Sequence, residues 1–344
     1  MAPDASINDR AYGTLVGMAI GDALGMPSQT LTREEIRAHY GNITGFVAPF
    51  GNHPVSHGLR AGQITDDTEQ ALMLAKRLIN GQGRIDEAQL AKDLLAWEAD
   101  VKARGLRDLL GPSSKAALDA MLAGASISET GRNGTTNGAA MRIAPVGIAT
   151  PVAPLTAFVD QVELACRMTH NTGEAIAGAA AVAAVISCGL EGQGFDTAVE
   201  TASQAAKEGQ SRGHAVGESD MAARIAHALC VAEKDTDIND FAAEIGTSVA
   251  SHESVAAAFG VVRLAGGDPW KAALIAANIG DDTDTIGAIS GAMAAACSGS
   301  AAIPRHAIDT ILTANSLPLE DTAQCLLALR NDAHTRRDLQ DAQP

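Results

Sequence analysis

The chain has 344 residues, 46% hydrophobic and 19% charged, with 34 Gly and 12 Pro, a globular composition that fits one large domain or two small ones. A formal net charge of -16 repels a phosphate backbone, and six Phe, two Tyr and two Trp are too few for repeated base stacking, so nucleic acid is excluded as a partner. The opening MAPDASINDR has no basic stretch leading into an apolar run, so no secretory signal is read and a cytoplasmic location is expected.

From Ala11 onward runs of helix formers follow one another, with almost no alternating Val/Ile/Thr segment, so the expected class is all-α. A first helix is predicted over roughly 9–24, with Gly13, Gly17 and Gly21 on one stripe, and a second over roughly 32–39. The stripe is read as a surface for close packing against another helix. A long loop, 41–64, follows; its His53 and His57 are read as surface histidines rather than metal ligands. Helices are then predicted over roughly 66–80, 86–103 and 113–123, with Asp93 to Glu98 read as solvated surface, before a Gly/Ser/Thr-rich loop over 124–136. The chain turns back into helix at Thr136–Pro145, and further helices are predicted over roughly 155–168, 172–189, 195–208, 218–232 and 238–246. The turn Lys234-Asp235-Thr236-Asp237 is read as solvated surface. The last helices cover roughly 252–265, 269–278, 284–298, 304–313 and 318–332. One domain over 9–333 is expected, between a flexible N-terminus, 1–8, and a flexible tail, 334–344.

The five cysteines are widely spaced in Ala-rich helical sequence with no CxxC, and read as buried free thiols of a reducing compartment. The longest uncharged stretch, Thr285 to Pro304, is rich in Ala, Gly and Ser, and is read as a buried helix rather than a membrane span, so no membrane is expected as a partner. Without obvious heptads, and with the acidic charge, a monomer is expected.

Three segments carry candidate chemistry. Thr65-Asp66-Asp67-Thr68-Glu69 opens a helix, and taken alone reads well as capping: a Thr N-cap, acids against the helix dipole and a capping-box spacing. Gly280-Asp281-Asp282-Thr283-Asp284-Thr285 repeats the theme with more acids than capping needs, and such acids repel one another unless a cation compensates. Asp and Thr oxygens without His or Cys are hard ligands suited to Mg²⁺ or Mn²⁺; if the two helix starts meet they can hold two such ions. Thr136-Asn137-Gly138-Ala139 leads into helix, where the Gly138 and Ala139 N–H groups could take an anion such as a pyrophosphate, or where Asn137 could be an ordinary N-cap. In Thr169-His170-Asn171, His170 could cap or could face the same cleft. No GxSxG elbow, P-loop or GxGxxG is present.

Gly21-Asp22-Ala23-Leu24-Gly25, Thr65-Asp66-Asp67-Thr68, Asn137 through Arg142, Thr169-His170 and Gly280 through Thr285 with Gly287-Ala288 together resemble the ADP-ribosylglycohydrolase family, in the family's order over roughly residues 10–300. The resemblance implies a compact single-domain orthogonal helical bundle and a binuclear Mg²⁺ or Mn²⁺ centre at the base of an ADP-ribose cleft. It implies Thr65, Asp66, Asp67, Asp282, Asp284 and Thr285 as metal ligands, and Asn137, Gly138, Ala139, Met141 and His170 as substrate contacts. Asp22 would orient a ligand or cap the turn after the first helix.

One departure matters: where the family's hydrolases usually place a glutamate, this chain has Gln29, whose neutral amide cannot act as a base. Three readings stay open. Asp66, Asp67 or a metal-bound hydroxide takes the proton instead; the chain acts on a different N-riboside; or it binds ADP-ribose without hydrolysing. Position 281 is Asp where the family often has Gly. The expected activity is metal-dependent hydrolysis at C1 of an ADP-ribosyl group on a protein or small acceptor. Asp66, Asp67 and Gln29 are the expected catalytic residues. The rival is an N-ribosidase acting on a free nucleoside-like molecule.

Overall fold

Helix α1 (Ile7–Gly25) has no polar stripe, and a helix apolar on all faces is stable only in an interior. The computed structural model describes residues 5–105, 111–216, 219–234 and 236–341, with side chains as far as residue 333; there α1 is buried along nearly its whole length. After it come α2 (Arg33–Tyr40) and, beyond the expected long loop, α3 (Asp66–Asn80), α4 (Glu87–Ala103) and α5 (Pro112–Leu122). Three short helices break the next stretch, α6 (Ile127–Thr130), α7 (Gly138–Met141) and α8 (Ala144–Ala149), before the long α9 (Leu155–His170) and α10 (Gly173–Leu190). The remainder is α11 (Phe195–Gln210), α12 (Met221–Ala232), α13 (Ile238–Ile245), α14 (Ser251–Leu264), α15 (Pro269–Ala277), α16 (Thr283–Ser298), α17 (Arg305–Asn315) and α18 (Leu319–Asp341). No strand occurs among the described residues, only isolated bridges, so the all-α class holds.

The core forms around α1, α10 and α16. α10 is apolar and long enough to cross a membrane by composition, but all of it is buried against the rest of the chain. α1 lies on α16 along the glycine stripe. A Cβ on Gly17 would stand 2.4 Å from the Gly291 carbonyl oxygen, and one on Gly21 would stand 1.9 Å from that of Gly287. The backbones therefore touch, as the spacing predicts. The same stripe ends at the site: a Cβ on Gly25 would lie 2.4 Å from Asp284 Cα, and Thr283 Oγ1 donates to the Gly25 carbonyl at 2.8 Å. At the other end Arg10 reaches the Ala296 and Cys297 carbonyls, satisfying acceptors left free at the C-terminus of α16.

Several expectations need correction. Cys166 and Cys188 are buried, but Cys297 is half-buried and Cys230 and Cys325 are exposed, because the helices bearing the last two are amphipathic and turn that face outward. His53 is buried rather than superficial, since loop 41–64 folds down onto the end of α1 instead of standing in solvent. Asp93 is half-buried and paired with Arg77 at 2.9 Å. The backbone of α18 runs on to Asp341, with no Gly or Pro to stop it; residues 1–4 and 342–344, and Asp235 of the acidic turn, lie outside the described residues.

Candidate active site

Asp22, buried in the last turns of α1, accepts from the Thr65 backbone N–H at 3.0 Å, its hydroxyl at 2.7 Å, the Thr68 backbone N–H at 3.1 Å and the Thr68 hydroxyl at 2.5 Å. These N–H groups belong to the start of α3, where a capping residue would normally serve them. Thr65 makes no side-chain cap of its own, so the capping expected of it is supplied from another helix. The expected capping box is absent too; Glu69 instead takes Trp97 Nε1 and Arg104. Freed from capping, Asp66 and Asp67 are held in the interior by α3 with their carboxylates uncommitted. Asp66 receives Gln70 Nε2 at 3.3 Å and its own backbone N–H, and Asp67 Oδ1 is buried with no partner among the described residues.

The start of α16 faces them. Asp282 Oδ2 accepts from Asn137 Nδ2, which also donates to Ser254 Oγ at 2.9 Å. Asn137 thus spends its side chain on Asp282 and makes no cap for α7, which overturns the plain capping alternative. Asp281 has φ of 64°, a left-handed conformation that costs most residues but not glycine, and Thr30 beside Gln29 has φ of 65°. The two are joined by backbone hydrogen bonds, Thr30 N to Asp281 O at 2.7 Å and Asp281 N to Leu31 O at 2.8 Å. This bridge ties Gln29 to the turn that presents Asp282.

Burial pushes the Asp22 carboxyl up to about 6 against the hydrogen bonds from Thr65 and Thr68, and pushes Asp282 up to about 6 against that from Asn137. Asp66, Asp67 and Asp284 are raised well above the usual range, first by burial, then by repulsion from Asp22 for Asp66, from Asp284 for Asp67 and from Asp282 for Asp284. Clustered buried carboxylates of this kind require positive charge nearby. The donor set is all oxygen and includes the orphaned Asp67 Oδ1, so it fits a hard divalent cation. Among the described residues no three His, Cys, Asp or Glu already converge into a cation cage, so Thr hydroxyls or water would complete any coordination shell.

One buried cation stands behind this cluster. Arg142 donates to Gln70 Oε1 at 3.2 Å and to Thr169 Oγ1 at 2.5 Å. His170 Nδ1 lies 2.7 Å from Thr169 Oγ1 and its Nε2 lies 3.1 Å from Thr136 Oγ1, so the ring is hydrogen-bonded at both nitrogens. Burial, then Arg142, holds His170 well below its usual range, hence neutral.

A cavity of about 210 Å³ opens over the carboxylates, lined by Gln29, Asp66, Asn137, Gly138, Met141, Asp282, Asp284 and Thr285 among the expected residues. Thr65 and Asp67 are buried and do not line it. His170 and Ala139 do not line it: Gly138 packs on the His170 ring, where a Cβ would stand 2.8 Å from Cε1, and Ala139 faces the core. Thr136, rather than these two, supplies a polar contact to the cavity, and Ser56, Ser114 and Val249 are neighbours that local patterns did not single out. Only the loop-length argument for segment 41–64 pointed toward Ser56.

A family model described as ADP-ribosylglycohydrolase matches residues 3–342. The uncharacterized protein YegU of Escherichia coli (strain K12) is 37% identical over 301 residues, covering 86% of this chain and 89% of that one. ADP-ribosylarginine hydrolase Tri1 of Pseudomonas putida (strain GB-1) is 27% identical over 321 residues, covering 90% of this chain and 76% of that one. A solved chain of an ADP-ribosylglycohydrolase-related protein complex superposes with a TM-score of 0.69 over 94% of this chain and 99% of its own, at 24% identity, which speaks for the fold alone.

Proposed function

This chain belongs to the ADP-ribosylglycohydrolase family and is a glycosidase-class hydrolase, and from that premise we propose that it cleaves the bond between C1 of an ADP-ribosyl group and a nitrogen or oxygen acceptor, aided by two Mg²⁺ or Mn²⁺ ions. The acceptor belongs to an ADP-ribosylated protein or a small conjugate, and the enzyme works as a cytoplasmic monomer. One observation carries the reading: two acid-bearing helix starts, far apart in the chain, line one cavity, and Asp67 Oδ1 in the first of them is buried with no partner among the described residues.

Thr65, Asp66 and Asp67 on α3 and Asp282, Asp284 and Thr285 on α16 would hold the ions, which when bound lower the pKa of water and offset the carboxylate charge. The protein's own part follows from its geometry. Asn137 orients Asp282, and Gln70 orients Asp66. As the bond from C1 to the acceptor breaks and water forms a new bond to C1, positive charge develops on the ribose, and the flanking carboxylates stabilise it. Asp66 or Asp67 takes the proton lost by water and gives it up to the departing acceptor, so that no net proton is consumed. Gln29 takes no proton and acts by holding a group in place. Gly138 and Met141 wall the substrate.

The cavity volume of about 210 Å³ also favours a second reading, an N-ribosidase for a free nucleoside-like molecule, since drug-sized ligands occupy about 300–1,000 Å³. Thermal unfolding with Mn²⁺ or Mg²⁺, with and without ADP-ribose, tests the proposal in wild type and Asp282→Ala. Saturation a hundredfold above Kd adds about 2.7 kcal/mol, so a metal-dependent rise that ADP-ribose enlarges and the variant loses is expected. No rise with metal would overturn the centre. A metal effect with turnover of a nucleoside and none of ADP-ribosyl-arginine would establish the second reading, and binding with no turnover of either would leave Gln29 as the mark of lost hydrolysis.

A further inference from the structure

Gln29 follows the short 3-10 turn Met26–Ser28, is almost fully buried and lines the cavity. Its Nε2 lies 2.8 Å from Ser56 Oγ, and that hydroxyl lies 2.8 Å from the Met26 carbonyl oxygen. A carbonyl oxygen can only accept, and a serine has one hydrogen, so the Ser56 hydrogen goes to Met26. Toward residue 29 Ser56 is then an acceptor and requires a donor. The amide meets that need with its NH₂ group and is left with Oε1, which has no partner among the described residues.

Ser56 is itself fixed. It is fully buried, and its backbone N–H donates to His53 Nδ1 at 2.8 Å, with the Val55 N–H donating to the same atom at 3.2 Å. His53 is held between this turn and the Phe50 ring, 5.2 Å away between centroids. The Ser56 hydroxyl and the Gln29 amide are thus oriented by the count of their hydrogens, the Met26 carbonyl taking the hydrogen of Ser56 and Ser56 Oγ taking one from Gln29.

We propose that Ser56 is a positioning residue that locks the Gln29 amide with its oxygen toward the cavity, so that the site selects a ligand group that donates a hydrogen bond there. The inference rests on the ADP-ribosyl hydrolase reading. The donor is a hydroxyl of the ribose or an N–H of the acceptor, and a bare carbonyl or carboxylate oxygen is rejected because it would face the amide oxygen. A carboxylate at position 29 is rejected by the same logic, since it would face the acceptor side of Ser56 unless it carried a proton.

The test pairs ligand binding with a ligand-free signal. In side-chain ¹⁵N spectra of the protein, the Gln29 amide pair, identified by its loss in Gln29→Glu, should exchange slowly in wild type and fast in Ser56→Ala. Titrations in Mn²⁺ with ADP-ribose, which offers hydroxyls only, and with an ADP-ribosyl-guanidine, which adds N–H groups, are made on wild type, Ser56→Ala, Gln29→Glu and the double variant. Ser56→Ala should weaken binding several-fold, with ADP-ribose if the donor is a hydroxyl and with the guanidine compound alone if it is the N–H. Gln29→Glu should weaken binding at least tenfold at pH 7.5 and much less at pH 5.5, and its penalty should shrink when Ser56 is also removed. Unchanged amide exchange in Ser56→Ala, or strictly additive effects of the two substitutions, would overturn the inference even where wild type binds ADP-ribose. Failure of wild type to bind ADP-ribose at all would instead sink the hydrolase reading, with the exchange experiment still deciding the orientation of Gln29.

Discussion

Asp22 and Asp67 are both buried and close enough for their charges to repel, yet the end of α1 and the start of α3 treat them in opposite ways. The Thr65 and Thr68 N–H groups at the start of α3 are directed at Asp22, while Asp67 Oδ1 receives nothing among the described residues. The first carboxylate completes the fold. The second is a cost the fold bears, and such a cost persists only where something else relieves it. Acidic residues in adjoining motifs therefore divide into a structural one and chemical ones by where their hydrogen bonds come from.

Opposite signs follow from this contrast. Asp22→Ala strips the acceptor from two N–H groups and two hydroxyls and should lower unfolding free energy by about 4 kcal/mol, read from the denaturant midpoint. Asp67→Asn should do the reverse in metal-free protein, raising stability by about 1–2 kcal/mol while abolishing any response to Mn²⁺. Equal losses from both substitutions would erase the distinction.

Acidification sharpens it further. Asp22 and Asp282 are raised to about 6 in the folded protein and sit near 3.8 when unfolded, so between those values the folded state holds more protons. Metal-free stability should therefore fall as pH rises from about 4 to about 6 and stay low above, the reverse of the trend for a salt-bridged acid. With saturating Mn²⁺ the trend should flatten or invert; a metal-free protein most stable at pH 7 would contradict it. The smallest effect belongs to the bridge beside the carboxylates. Asp281→Gly relieves a left-handed φ and should stabilise by at most about 1 kcal/mol in calorimetry, with Asp282 still in place.

Local pattern carries the helices because caps, apolar spacing and glycine breaks lie within a few residues of each boundary. The two acid-rich helix starts are readable for the same reason: Asp281, Asp282 and Asp284 exceed what a helix end can use. What is not readable depends on partners far along the chain. Asp22 as the cap of α3, Asn137 as the brace of Asp282 and Ser56 as the brace of Gln29 are each pairings across at least 27 residues. His53 is misplaced by a surface prior because its burial comes from the descent of a whole loop, and Ala139 because a one-residue rotation on a four-residue helix separates cavity from core.

The contact between α1 and α16 has a consequence for mutational tolerance. Gly17, Gly21, Gly287 and Gly291 each meet opposing backbone at a distance where any Cβ collides, and every other amino acid carries one. A saturation library at these codons should return glycine alone among soluble clones, while the alanines beside them accept several residues. Directed evolution of this enzyme has no freedom to shift one of these helices against the other, and new specificity must be sought in the loops that close over the cavity.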